Sequence, residues 1–306
     1  MTNTNSIKFS FLKKKDTVLL QDYIRKNWKQ NHILSLSKKL LFWQHRTKKN
    51  KINFYVCKKG KNIIAILGFV DFYANEYKNK KVGFAVWSSM TEYKNLGALL
   101  FYKLLKKYKN NILVATGLNN FIIKYYKNFD FKIRFFNKYY ICPRNKKNQV
   151  ITKNLIVSRP SKKNYIKIYD FKSLYKNLKN TYEIDYIKKR FNNHPFYNHF
   201  ILKDTRYDLW FIARSVKVGR LKFLRLLDYY GNFKKKNLEE SFSRFCLNNN
   251  YHHTEFMHYG DEKINILSSG FKKANDKKNI LPILVEPFIG VTNSNIRIAF
   301  KNFKKI

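Results

Sequence analysis

The chain is poor in acidic residues, in cysteine and in long apolar runs. Asp and Glu number 19 against 63 Lys and Arg in 306 residues, a formal net charge of +44. A field of that sign attracts phosphates, nucleic acid and acidic membrane surfaces. The lysines are nonetheless scattered along the whole length beside Asn, Ile, Phe and Tyr, the residue set that AT-rich codons favour. Two short basic blocks stand out, Lys13-Lys14-Lys15 and Lys234-Lys235-Lys236, and neither reaches the length of a nucleic-acid-binding tail. The charge is therefore read as compositional, and nucleic acid ranks second as a partner. Cys57, Cys142 and Cys246 lie far apart with no paired spacing, which argues against a disulfide framework and a Cys-rich zinc site and fits a reducing compartment. The longest apolar segment, Ile63 to Val70, falls well short of the roughly 20 residues of a membrane span. The amino terminus has no apolar stretch after its charges, so the expected location is cytoplasmic.

What is present is ample core material. Hydrophobic residues make up 44% and aromatics 17%, with 27 Phe and 22 Tyr, so the chain is globular. At roughly 150 residues per domain the length suggests two domains. From Asp16 to Gln44 apolar residues recur at three-to-four spacing with a break around Asn31, which predicts two amphipathic helices after a first strand at Ile7 to Phe11. Asn53 to Cys57 and Ile63 to Phe72 read as a hairpin around Lys58 to Asn62. A strand at Val82 to Trp87, a helix at Leu99 to Tyr108, a buried strand at Ile112 to Thr116, a short helix at Asn119 to Asn128 and a closing strand at Phe131 to Ile141 complete the first unit. After a linker near Arg144 to Thr152 a similar grammar returns. It predicts helices at Phe171 to Lys179 and Tyr182 to Phe191, then strands at Leu209 to Val216 and Leu221 to Tyr229. A helix at Lys236 to Asn249, a strand at Thr254 to Tyr259, a helix at Lys263 to Ser268 and a strand at Leu281 to Phe288 follow.

The informative stretch is Gly83 to Phe131. A strand, Gly83-Phe84-Ala85-Val86-Trp87, leads into Glu92-Tyr93-Lys94-Asn95-Leu96-Gly97-Ala98 and so into the helix from Leu99. A helix start exposes unpaired backbone N–H groups and partial positive charge, and a small-residue loop there suits a phosphate or pyrophosphate. This stretch resembles the GNAT superfamily, whose pyrophosphate loop has the form Arg/Gln-x-x-Gly-x-Gly/Ala. Lys94, Gly97 and Leu99 stand at its three key places, with Lys for Arg or Gln and Leu for a small residue. A second stretch, Asn119-Asn120 followed by Tyr126-Lys127-Asn128-Phe129-Asp130-Phe131, is similar to the family's Asn...Tyr-x-x-Leu-Gly-Phe segment, with Asp130 in the place of Gly.

The resemblance implies an α/β fold with two GNAT-like domains in tandem, each a mixed sheet flanked by helices. Residues 1–148 would form the acyl-CoA-binding catalytic domain and residues 149–306 a degenerate partner. It implies acetyl-CoA or another acyl-CoA as co-substrate, held by Lys94, Asn95, Leu96, Gly97, Ala98, Leu99, Asn119 and Asn120. The backbone of Ala85, Val86 and Trp87 would lie at a β-bulge that exposes N–H groups to the pantetheine and the thioester carbonyl. Tyr126 would protonate the departing thiolate; its alternative is a core aromatic. Carboxylates near strand ends, Asp71, Glu76 and Glu92, are the candidates for the base, each set against plain solvation.

The second half shows no counterpart of the phosphate loop between Asp228 and the helix from Lys236. It carries His194-Pro195-Phe196-Tyr197, Asp228, Glu255, His258 and Glu286 on or beside strands, and Tyr197, Asp228, Glu255 and His258 are the candidates for acceptor binding. The His252-His253...His258 spacing is no known ligand pattern, so no metal is expected. Trp28...Asn31-His32 and Glu286-Pro287-Phe288 are similar to features of tandem chains associated with bacterial surface-polysaccharide assembly. The implied reaction is acyl transfer to an amino-sugar or comparable small amine. A Fem-type aminoacyl transferase using charged tRNA, and a binding module without catalysis, are the alternatives.

Overall fold

The computed structural model describes residues 6–45, 51–72, 81–109, 112–115, 120–129, 131, 137–144, 156–232, 234, 236–258 and 263–274. The chain divides into two compact units at Lys124/Tyr125.

The first unit begins with β1 (Ile7–Lys13), followed by α1 (Thr17–Asn27), α2 (Ile33–Leu36) and α3 (Lys38–His45). The chain leaves α1 at Trp28 and re-enters helix after His32, whose side chain accepts the Leu34 N–H. Thus the expected break near Asn31 is real, and the second expected helix is split in two. Next come β2 (Lys51–Lys59) and β3 (Asn62–Phe72), joined through Gly60 at φ +57° in a two-residue turn that pairs Lys59 with Asn62. The unit continues with β4 (Lys81–Ser89), α4 (Lys94–Lys107) and β5 (Ile112–Ala115). The sheet order is β1-β2-β3-β4-β5, antiparallel as far as β4 and parallel between β4 and β5.

Leu20, Tyr23 and Ile24 of α1 and Leu40 and Leu41 of α3 pack with Phe54, Val56 and Ile66 in one core. Burial of each such side chain stabilises by about 2 kcal/mol. The helix expected from Leu99 starts instead at Lys94, after a 3₁₀ turn at Thr91–Tyr93. No residue from Lys94 to Ala98 breaks a helix strongly, and Gly97 is tolerated because the chain needs close approach there.

A short helix α5 (Asn120–Asn128) spans the division between units. The strand expected to close the first unit, β6 (Asn137–Pro143), instead pairs with strands of the second sheet. That unit holds β7 (Val157–Ser158), β8 (Ile166–Tyr169), α6 (Phe171–Asn177), α7 (Thr181–Ile187), a π-helical turn at Lys188–Asn192, β9 (His199–Asp204), β10 (Leu209–Val218) and β11 (Leu221–Tyr230). It then holds α8 (Glu239–Asn248), β12 (Thr254–His258), α9 (Lys263–Ser268) and β13 (Lys272–Lys273). The order is β13-β6-β12-β11-β10-β9-β8, with β7 beside β6. β8 to β11 are antiparallel and β11–β12 is parallel, with helices after the first strand and between the parallel pair. This repeats the plan of the first unit. β8 and β9 were not foreseen, and the expected strand at 281–288, with Glu286, lies outside the described residues. One sheet face packs Phe211, Leu224 and Phe256 against Phe242 and Phe245 of α8; Ile201, Trp210, Ile212 and Leu227 pack with Leu174, Ile187 and Phe191.

Candidate active site

In the first unit the register of β3 on β4 slips, because Leu67 faces Trp87 while Phe69 faces Phe84. Ala85 and Val86 therefore stand together opposite Gly68, a β-bulge at the place the sequence reading assigns to it. Gly68 is required: a Cβ there would lie 2.8 Å from Cε1 and Cζ of the buried Phe54. The parallel register of β4 on β5 runs from Lys81–Ile112 to Phe84–Ala115, so among the described residues the bulge begins where that pairing ends.

Beyond the bulge, β4 is fastened to the start of α4. Trp87 Nε1 donates to the Gly97 carbonyl at 3.0 Å, its ring stacks on Phe101 at 4.7 Å, and Ser89 Oγ donates to the Lys94 carbonyl at 3.3 Å. A Cβ on Gly97 would meet Ser89 Oγ at 3.1 Å and Trp87 Nε1 at 3.2 Å, so glycine sets how closely helix and strand approach. The helix starts from Tyr93 without a side-chain cap and has no acidic residue in its first turn. Its first N–H groups, at Lys94, Asn95 and Leu96, have no acceptor within the helix, and its dipole favours an anion. Lys94 and Asn95 are exposed, Leu96 and Ala98 half-buried, and Leu99 exposed. The start of α4, with its amide donors and Lys94, is thus tied to the strand that carries the bulge.

The other first-half candidates are placed as follows. Glu92 is exposed in the 3₁₀ turn before α4. Asp71 sits on β3 opposite Val82, and its side chain lies outside the described residues, as do Glu76, Asn119, Asp130 and the side chain of Asn120, where α5 starts. Tyr126 on α5 is 2% exposed, with its ring edge-on to Phe131 at 4.9 Å, and burial raises its phenol far above the ordinary range.

The second unit brings three of its four candidates to one sheet face. Strand pairing puts Asp228 opposite Ile212, and Arg225 beside both Arg214 and Glu255, so Asp228 and Glu255 share a face; Tyr197 lies over Arg214 on that face. His258 alternates to the other face, with its ring near Phe256 and Tyr229. Asp228 stands at a bulge of β11, buried. Oδ1 accepts the Tyr229 N–H at 2.9 Å and Oδ2 the Tyr230 hydroxyl at 3.3 Å. Burial pushes its carboxyl up to about 7 against those two hydrogen bonds; Glu183 adds to the rise and Arg190 opposes it. Glu255 is fully buried yet held down to about 2: burial raises it, but His253, Arg225 and Lys138 outweigh that. Arg190, Arg214, Arg225 and Lys138 were missed in the sequence. Arg214 and Arg225 had a signal, since each interrupts the apolar run of a predicted strand.

No phosphate cradle recurs at α8, where Glu239 and Glu240 occupy the first turn and repel an anion. Gly231, at φ +113°, closes against the carbonyl of Asp208. Among the described residues no three His, Cys, Asp or Glu side chains gather as a metal site, and no helix is long and apolar enough to cross a membrane.

No family model and no curated relative matches the sequence. Solved structures do match it. A conserved protein of unknown function from Enterococcus faecalis V583, described as a probable N-acyltransferase, is 11% identical and superimposes with a TM-score of 0.54 over 88% of this chain and 70% of its own. A GCN5-related N-acetyltransferase from Anabaena variabilis is 10% identical, with a TM-score of 0.53 over 88% and 71%. Another from Kribbella flavida is 9% identical, with a TM-score of 0.50 over 86% and 67%. With its bulged β4 feeding an uncapped α4 and a second sheet built on the same plan, this chain has the fold of the GCN5-related N-acetyltransferases.

Proposed function

We propose that the chain is an acyl-CoA-dependent N-acyltransferase whose first unit binds the acyl donor. The observation that carries this is the β4 bulge opposite Gly68, tied through Trp87 to the uncapped start of α4. The N–H groups of Lys94, Asn95 and Leu96 take the pyrophosphate, with Lys94 adding a point charge. The backbone N–H groups of the bulge polarise the thioester carbonyl, so that negative charge growing on its oxygen meets donors already in place. A neutral amine then attacks the carbonyl carbon, the C–S bond breaks, and the thiolate takes a proton.

Tyr126 is the proposed donor of that proton. Burial keeps this phenol protonated but makes it a weaker acid than the thiol it would serve, and the same burial suits core packing; Tyr126→Phe separates the two roles by turnover at unchanged donor affinity. Glu92, exposed before α4, is the proposed base, directly or through water. The acceptor is an amino-sugar or similar small amine, as the resemblance of Trp28...Asn31-His32 and Glu286-Pro287-Phe288 implies. The second unit is a degenerate copy, since acidic residues stand where its phosphate site would be.

Calorimetry with acetyl-CoA tests the reading. Wild type binds it saturably, whereas Lys94→Glu, which places an exposed negative charge at the anion cradle, binds at least about tenfold more weakly with an unchanged melting temperature. Equal affinity in both proteins overturns the assignment. A panel of amino-sugars and simple amines with labelled acetyl-CoA then identifies the acceptor.

A further inference from the structure

Apolar side chains that the proposed acyl transfer does not call on are exposed on the helices between β1 and β2. Val18 on α1 and Leu36 on α2 are each 64% exposed, and Leu19, Ile33 and Trp28, just past the end of α1, are exposed as well. The two helices form a hairpin. At its closed end the Lys29 N–H donates to the Ile24 carbonyl at 2.8 Å, and the Trp28 ring lies 4.4 Å from that of His32. Midway, Gln21 Nε2 donates to the Leu34 carbonyl at 3.1 Å. At the open end Lys14 and Lys38 lie over one ring, that of Phe42, at 5.9 and 5.7 Å from its centroid, which brings the residues before α1 together with the start of α3. Leu20, Tyr23 and Ile24 of α1 and Leu34 of α2 bury into one core, so the opposite sides of both helices turn away from it together. Those sides carry Val18, Leu19, Ile33 and Leu36.

The surroundings of this face are basic. Lys13, Lys14 and Lys15 precede α1, Arg25, Lys26 and Lys29 lie at its end, and Lys38 and Lys39 open α3, all of them exposed. Asp16 and Asp22 are the acidic residues between positions 1 and 70, and each already holds a cation, Lys58 at 2.9 Å and Arg25 at 2.7 Å. Exposed apolar residues within a polar rim mark a surface of association. A nucleic acid would engage the cations but offers little to branched aliphatic side chains. An anionic bilayer engages both, since its headgroup phosphates attract Lys and Arg while the boundary of its hydrocarbon takes up Val, Leu and Ile, with Trp favoured at the interface.

We propose that the exposed face of the α1–α2 hairpin docks the first unit on an anionic lipid surface, with Val18, Leu19, Ile33 and Leu36 entering the headgroup boundary and the flanking lysines meeting lipid phosphates. The docking is independent of the acyl-donor site, and its test needs no turnover.

The test is cosedimentation of the full chain with vesicles of phosphatidylcholine containing about one quarter phosphatidylglycerol, and with vesicles of phosphatidylcholine alone. Wild type binds the anionic vesicles, and the neutral ones at least about tenfold more weakly. Val18→Ser combined with Leu36→Ser weakens binding to the anionic vesicles at least about tenfold at an unchanged melting temperature. Ile168→Ser, which removes a comparably exposed apolar side chain from the second unit, changes it less than about twofold. That control matters because a net charge of +44 draws the whole surface towards anionic lipid. Tryptophan emission gives a second measure: it moves to shorter wavelength on anionic vesicles in wild type, and the shift is largely lost in Trp28→Phe. Absence of binding to the anionic vesicles, or equal binding by wild type and the double variant, overturns the proposal. A dimer in analytical ultracentrifugation that the double variant dissociates also overturns it, because the face is then covered by a second copy. If the double variant does not fold, wild-type emission that stays unchanged on anionic vesicles overturns it.

Discussion

Replacing Asp228 by Asn should reverse its effect on stability with pH. The carboxyl is buried, and its pKa stands at about 7 against an ordinary 3.8. Between those values the folded protein holds a proton that the unfolded chain releases. Stability from this group is thus full below pH 4 and is lost as pH rises through 7. Three pH units at about 1.4 kcal/mol each bound the loss at about 4 kcal/mol. Histidines 32, 45, 194, 199, 252 and 253 lie below their ordinary value and give a slope of the opposite sign, since they must take up protons to unfold in acid. The informative quantity is therefore the difference between variant and wild type, in which those groups cancel. Urea denaturation of both proteins from pH 4 to pH 8 measures it. At pH 4 Asn replaces a neutral acid and costs about 1 kcal/mol through a mismatched hydrogen bond. At pH 8 it removes a buried charge, and the variant becomes the more stable protein. A difference that stays flat within about 0.5 kcal/mol across this range refutes the burial argument.

Other substitutions probe the remaining features. Gly68→Ala drives a Cβ into the Phe54 ring and should lower stability by about 1–3 kcal/mol in thermal melts. Trp87→Phe keeps the stack on Phe101 but loses the bond to the Gly97 carbonyl; a stability loss of about 1 kcal/mol should accompany weaker acetyl-CoA binding by calorimetry. Glu255→Gln leaves Arg225 and Lys138 buried without their carboxylate and should destabilise by about 3–5 kcal/mol in urea at pH 7. The wild-type contribution of Glu255 is present above pH 4.5 and lost as pH falls towards 2, so the penalty should shrink in acid. All three cysteines are buried, and burial raises Cys57 to about 11 and Cys246 to about 12. A thiol-reactive dye should label none of them in the native protein and all three in denaturant.

The sequence by itself determined the order of the elements from β1 to β5 and the strand-to-helix step around Gly97, one of the two features that carry the proposed donor site. Apolar spacing in Leu20, Tyr23 and Ile24 and the Gly60 turn are local signals, each fixed by residues within a few positions of one another, whereas the sequence places the helix start at Leu99 and it lies at Lys94. The placement of the bulge at Ala85 and Val86 came from resemblance, because only the pairing of β4 with β3 displays it. Tertiary structure alone decided what depends on distant partners. β6 joined the second sheet because a strand's neighbours are chosen by available edges and core packing, and a run such as Tyr139, Tyr140 and Ile141 suits either sheet. The role of Asp228 turned on whether its side chain met water or Tyr230, and residue spacing carries no such information. The Arg214, Arg225, Glu255 and Lys138 row joins positions up to 117 residues apart in sequence, 138 to 255, brought together by strand register. Electrostatic interaction falls with distance in space and is blind to distance along the chain, so that row could be recognised only once the sheet had been assembled.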